Sequence, residues 1–242
     1  MNSELIRNDF PILKTKVGGH QIVYFDNAAT TQRPLPVVNA VLDYTTHENG
    51  NPHRGAHIFA ISASEAYDTS KEVVRDFIHA RSEKEIIYTR NTSESLNLVA
   101  RSYGETHLKA GDHILITIAE HHSNLVTWQR VAQKTGATLD YIYVDKETGH
   151  FPEEELKKID DPRVKLFAFA EVSNVLGIDF DPKPLIQRAH AHGAIVVLDG
   201  AQSTPHKPVD VQDLDCDFFA FSGHKMCSMG GIGVLYGKEE LL

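Results

Sequence analysis

Side chains capable of chemistry gather at the ends of short apolar runs in this chain. Asn91-Thr92-Ser93 follows the run Glu85 to Arg90 and opens a helical pattern, His121-His122 follows His113 to Ile118, and Asn174 lies just past Val164 to Ala170. Asp199 ends the run Ala194 to Asp199, with Gln202 shortly after it, and Ser222-Gly223-His224-Lys225 closes Asp217 to Ser222. Taken singly, Asp199 would cap a turn and Lys225 would point to solvent. Taken as a pair on neighbouring strand ends, they offer a lysine for a Schiff base and a carboxylate that keeps a pyridine nitrogen protonated, which is what pyridoxal phosphate requires. Thr92, Ser93, Ser222 and His224 would then supply hydroxyl, imidazole and helix N-terminal donors for the cofactor's phosphate. The Thr-Ser pair by itself signals no more than a helix cap.

The elements that must position these residues are legible in the apolar pattern. Together with Thr138 to Val144 and Ile232 to Tyr236 there are seven runs of strand length, rich in Val, Ile, Phe and Tyr at consecutive positions. Such runs suit strands buried on both faces. Between them lie helical patterns: Tyr67, Val74, Phe77 and Ile78 share one face of Glu65 to Ala80. Asn91 and Glu94 are spaced as a capping box, and Asp181-Pro182 is an N-cap followed by proline at the first helical position, with Gly193 closing that helix. The alternation predicts an α/β fold, a seven-stranded mostly parallel sheet with helices on both faces. Gly223 to Gly231 is too short for a parallel crossover, so the last strand should run antiparallel. Ligands of such sheets bind beyond the carboxyl ends of the strands, where the polar residues above are found. Residues 1–20 read as an N-terminal segment and 21–242 as one domain.

Composition narrows the function. Against 33 acidic residues stand 24 basic ones, for a net charge of −9. No block of Lys or Arg is free of acids, so no nucleic-acid surface is visible. Apolar runs such as Ala194 to Leu198 are far shorter than the ~20 residues of a membrane helix. The opening Met1-Asn2-Ser3-Glu4 lacks the basic start of a secretory signal. Two cysteines make no disulfide framework, and the default is a reducing cytoplasm. No metal site is expected: His190 and His192 point apart on a helix, and His121-His122 have no Cys or acidic cluster beside them.

Five ordered motifs carry a resemblance. They are Tyr24-Phe25-Asp26-Asn27-Ala28-Ala29-Thr30-Thr31, Asn51-Pro52-His53-Arg54-Gly55-Ala56-His57, Glu120-His121-His122-Ser123-Asn124, Leu198-Asp199-Gly200-Ala201-Gln202 and Ser222-Gly223-His224-Lys225. The chain resembles a cysteine desulfurase of the SufS group, in the class V aminotransferase-like branch of pyridoxal-phosphate fold type I, from about Asp9 onward. The resemblance implies a homodimeric enzyme that converts L-cysteine to L-alanine and passes a persulfide to an acceptor protein of iron–sulfur cluster assembly.

It also implies roles. Lys225 would form the Schiff base and later remove the substrate's Cα proton, while Asp199 would pair with the pyridine nitrogen. His122 would stack on the ring and assist proton transfer, Gln202 would bond the ring hydroxyl, and Asn174 would contact cofactor and substrate. Ser93, Ser222 and His224 would hold the phosphate. Ala29 would meet the substrate carboxylate through its backbone, and His53 and Arg54 would lie near the partner subunit's pocket. The family's sulfur-accepting cysteine and its substrate-carboxylate arginine fall beyond Leu242, so a C-terminal small domain is expected to be absent, and Cys216 and Cys227 are expected to be packing residues. Departures from the family pattern are Ser228-Met229-Gly230-Gly231, where Gly-Pro-Thr-Gly is usual, and Asn91, where Gly is usual. Two other readings stay open: a related lyase acting on selenocysteine, cysteine sulfinate or kynurenine, and a catalytically silent fragment that binds the cofactor or a partner.

Overall fold

Each of the seven apolar runs forms a strand. The computed structural model describes residues 3–242. The strands are β1 (Ile86–Thr89), β2 (His113–Thr117), β3 (Thr138–Ile142), β4 (Val164–Ala170), β5 (Ile195–Asp199), β6 (Phe218–Ser222) and β7 (Gly233–Gly237). They make one sheet in the order β1-β7-β6-β5-β4-β2-β3. The pairings from β6 across to β3 are parallel. β7 runs antiparallel to both of its neighbours, as the short connection from β6 requires. Its place between β1 and β6 depends on a close approach. A Cβ on Gly233 would come within 2.5 Å of the Asn91 Cα, so only glycine lets this strand pass the start of the helix that follows β1.

Side chains alternate between two cores, one on each face of the sheet. Leu115, Phe167, Phe169, Val196, Leu198 and Phe219 belong to one. Ile114, Ile116, Leu166, Ala168, Val197 and Ala220 belong to the other, together with Trp128. Both faces are therefore dry, which is why the strands are apolar at consecutive positions.

Five helices matter for the site: α1 (Leu35–Asp43), α2 (Ile58–Phe77), α3 (Thr92–Val99), α4 (His122–Thr135) and α5 (Pro182–Ala191). α2 begins a full two turns before the expected Glu65, because the His57 side chain accepts from the Ala60 amide and serves as the N-cap. At α3 half of the expected capping box forms. Asn91 Oδ1 accepts from the Glu94 amide at 2.9 Å, while the Glu94 carboxylate turns to the Arg90 amide at 2.6 Å. Asn91 thus has a structural purpose as the N-cap of α3. At α5 Asp181 accepts from the Lys183 amide, Pro182 occupies the first turn, and Gly193 follows at φ 77°. Among the described residues no helix is long and apolar enough to cross a membrane, and no group of three or more potential metal ligands is found.

Candidate active site

A polar cavity of about 530 Å³ opens beyond the carboxyl ends of the strands. Thr92, Ser93, Asn174, Asp199, Gln202, Ser222, His224, Lys225 and Ala29, nine of the residues singled out in the sequence, line it. Its volume falls within the ordinary range for a small-ligand site.

Asp199 and Lys225 reach the cavity from paired strands. β5 and β6 are in register through Asp199↔Ala220, and Lys225 sits in the short 3₁₀ turn Gly223–Lys225 directly after β6. Asp199 is only 4% exposed and accepts a hydrogen bond from the Ala201 amide at 2.9 Å. Burial pushes its carboxyl up to about 6, with the Ala201 bond and the Lys225 charge pulling the other way. Burial also lowers the Lys225 ammonium, which the Asp199 charge partly offsets. The cavity therefore holds an amine biased toward its neutral, nucleophilic form.

The other end of the cavity is built for an anion. The Thr92 amide donates to Ser222 Oγ at 2.8 Å, and the two hydroxyls lie 2.6 Å apart. Ser93 Oγ lies 2.5 Å from Ser123 Oγ. These hydroxyls surround the first turn of α3, where backbone N–H groups and the helix dipole favour negative charge. His224 completes this end, its Nδ1 3.3 Å from Thr30 Oγ1, with its pKa lowered by burial and by Lys225 and Arg33.

Of the adjacent pair His121 and His122, His121 lines the cavity and His122 lies outside the lining. The reason is local. His121 is the N-cap of α4, and its Nδ1 accepts from the Ser123 amide at 3.1 Å, which holds the ring on the cavity rim. His122 is the first helical residue and is exposed. With Nδ1 accepting, the ring proton is assigned to Nε2. Burial, Lys225 and His122 all lower the His121 pKa, so the ring is held neutral. The strand-end position flagged both histidines, but only the cap geometry separates them.

His53 and Arg54 also lie outside the lining. Both are exposed, and His53 turns to Asp68, with Nε2 3.4 Å from the carboxylate. A substrate role for either is not met in this chain's own cavity. Cys216 is fully buried and burial pushes its thiol up, so it is a packing residue. Cys227 is half-buried and does not line the cavity.

Glu120, in the Glu120–Asn124 motif, braces the cavity. Its carboxylate is enclosed although the residue as a whole is half-buried. It takes bonds from Thr117 Oγ1, from Asn124 Nδ2 at 2.6 Å and from the Ala170 amide at 3.0 Å, so it ties the ends of β2 and β4 to α4. Burial raises its pKa to about 8 in spite of these donors, with Asp199 adding to the rise. Gln202 Nε2 donates to the Ala28 carbonyl at 2.8 Å and fastens the Asp26–Ala29 turn over the cavity. The donor set as a whole fits pyridoxal phosphate: a half-buried amine, a buried carboxylate lining the same cavity, a neutral imidazole on the rim, and a hydroxyl-rich helix start for the phosphate.

Comparison with known proteins agrees with this chemistry. The class-V aminotransferase family model matches residues 23–242. A probable cysteine desulfurase of Halalkalibacterium halodurans is 49% identical over 242 residues, which is 100% of this chain and 59% of the relative. A cysteine desulfurase of Synechococcus elongatus is 49% identical over 237 residues, covering 98% of this chain and 38% of the relative. The solved apo structure of a cysteine desulfurase from Thermococcus onnurineus NA1 matches with a TM-score of 0.90 at 42% identity, covering 99% of this chain and 58% of that one. The chain thus spans less than two thirds of the length of these relatives. With the family model running through nearly all of its residues, the chain belongs to the class-V aminotransferase family.

Proposed function

We propose that this chain is the cofactor-binding part of a pyridoxal-phosphate-dependent cysteine desulfurase of the SufS group, which takes L-cysteine to L-alanine and hands the sulfur on as a persulfide. A homodimer, a cytoplasmic location and an acceptor protein of iron–sulfur cluster assembly belong to the same reading. The observation that carries it is the pairing of Lys225 with buried Asp199 across one cavity whose far end is lined by hydroxyls.

Lys225 would hold the cofactor's carbonyl carbon and, once displaced, take the proton from the substrate's Cα. When bound, the cofactor supplies an electron sink for the charge left on that carbon. Asp199 would keep the pyridine nitrogen protonated. Thr92, Ser93, Ser222 and His224 would hold the phosphate, Gln202 would face the ring hydroxyl, and Asn174 and the Ala29 backbone would meet the substrate. The stacking role passes from His122 to His121, because His121 is the histidine on the rim. Titration with pyridoxal phosphate tests the reading. A visible absorption band that L-cysteine perturbs is expected, and a chain that retains no cofactor through gel filtration contradicts it.

A second reading, a chain that binds the cofactor yet completes no turnover alone, is favoured by a specific observation. Among the described residues no arginine and no cysteine lines the cavity. On this reading the sulfur-accepting thiol and the group that grips the substrate carboxylate come from another polypeptide segment.

A further inference from the structure

One side chain brackets Lys225. Thr31 Oγ1 lies 3.1 Å from the His224 carbonyl oxygen and 2.7 Å from the Cys227 amide nitrogen. A hydroxyl carries one proton and free lone pairs, so Thr31 donates to the residue before the lysine and accepts from the second residue after it. The Thr31 amide adds a bond to the same His224 oxygen at 3.0 Å, and Thr30 Oγ1 reaches it at 3.1 Å.

The turn held in this way is tight and strained. The amides of Met226 and Ser228 both donate to the Gly223 carbonyl, at 2.9 and 3.0 Å. Cys227 sits at φ 67°, in the left-handed region that disfavours any residue with a Cβ. Such a conformation persists only where its surroundings impose it, and the partner of the Cys227 amide is the Thr31 hydroxyl.

We infer that Thr31 is a positioning residue for Lys225: its hydroxyl clamps the backbone on both sides of the lysine and so fixes where the amine enters the cavity. This rests on the reading of Lys225 as the amine that captures the cofactor. Without the hydroxyl, the amide of Cys227 has no partner in a conformation it already disfavours. Loss of one such hydrogen bond changes an equilibrium about fivefold, and the ratio of chains with Lys225 in place to chains with it displaced should fall by that factor.

The test compares the parent chain with Thr31→Val and Thr31→Ser. Valine keeps the branched shape and the backbone bond but removes both hydroxyl bonds, while serine keeps the hydroxyl. Each chain is mixed with pyridoxal phosphate, quenched with borohydride at intervals and mapped for label on Lys225. Thr31→Val should label more slowly than the parent, by up to about fivefold, and Thr31→Ser at the parent's rate. Valine labelling as fast as the parent overturns the inference, and so does serine labelling as slowly as valine. A parent chain with no label on Lys225 overturns the reading of the lysine itself, and this inference with it. Hydrogen exchange of the parent gives a second readout should Thr31→Val not fold. The Cys227 amide should be protected, and exchange at the rate of an unbonded amide overturns the clamp.

Discussion

Asp199 and Lys225 face one cavity from the ends of the paired strands β5 and β6, and each shifts the other's ionisation. Neither is stabilised where it stands. Burial holds the acid above its ordinary range and the amine below its own, so both are kept closer to neutral than in water. A site of this kind costs the empty chain stability in exchange for reactivity.

That cost has a pH signature. The Asp199 carboxyl titrates at about 6 in the folded chain against an ordinary 3.8. The folded chain therefore binds this proton more tightly than the unfolded one. The resulting stability is fully present below pH 3.8 and is lost as pH rises through about 6. The difference corresponds to about 3 kcal/mol. Asp199→Asn, which has no charge to bury, should be more stable than the cofactor-free parent by up to that amount at pH 8, with the gap closing near pH 4. Urea unfolding at the two pH values checks this, and equal stability at both contradicts it.

The two neighbouring histidines should behave differently. His121→Ala removes the ring on the cavity rim and should weaken retention of pyridoxal phosphate about tenfold, the worth of one ring-stacking contact. His122→Ala should leave retention unchanged. Spectrophotometric titration of both variants decides, and the reverse order would return the role to His122.

Gly200 is the place where packing and chemistry meet. A Cβ there would lie 2.0 Å from the Phe219 ring, and that side chain is fully buried with no room to move. Gly200→Ala should destabilise the fold by about 1–3 kcal/mol through overpacking. It should also disturb Asp199, its neighbour in sequence, and weaken cofactor retention. A variant with the parent's urea midpoint would show that Phe219 can yield.

Neither cysteine of this chain should accept sulfur. Cys216 is sealed in the core with its thiol pushed up by burial, far from the reactive thiolate state. Cys227 is fixed by the hydrogen bond its amide donates to the Thr31 hydroxyl and lies outside the cavity lining. After incubation with pyridoxal phosphate and L-cysteine, mass spectrometry should find both unmodified. A gain of one sulfur atom on either would make that residue the nucleophile.

Apolar runs such as His113–Thr117 and Val164–Ala170 announce strands buried on both faces, and the polar residues ending them announce the rim. Whatever depends on contacts distant in sequence is hidden. The insertion of β7 beside β1 turns on Gly233 against Asn91, and the clamp on Lys225 joins residues 193 or more positions apart. Cap geometry is hidden for another reason. His57 and His121 both act as N-caps through Nδ1, a use of histidine that ordinary capping preferences do not include, so the start of α2 and the choice between His121 and His122 could not be read.

The central claim is that Lys225 is the amine that captures pyridoxal phosphate. Borohydride reduction of the loaded chain, followed by peptide mapping, tests it most directly. One pyridoxyl group on Lys225, absent from Lys225→Ala, is the predicted result; a loaded chain labelled on another lysine, or on none, would contradict the account.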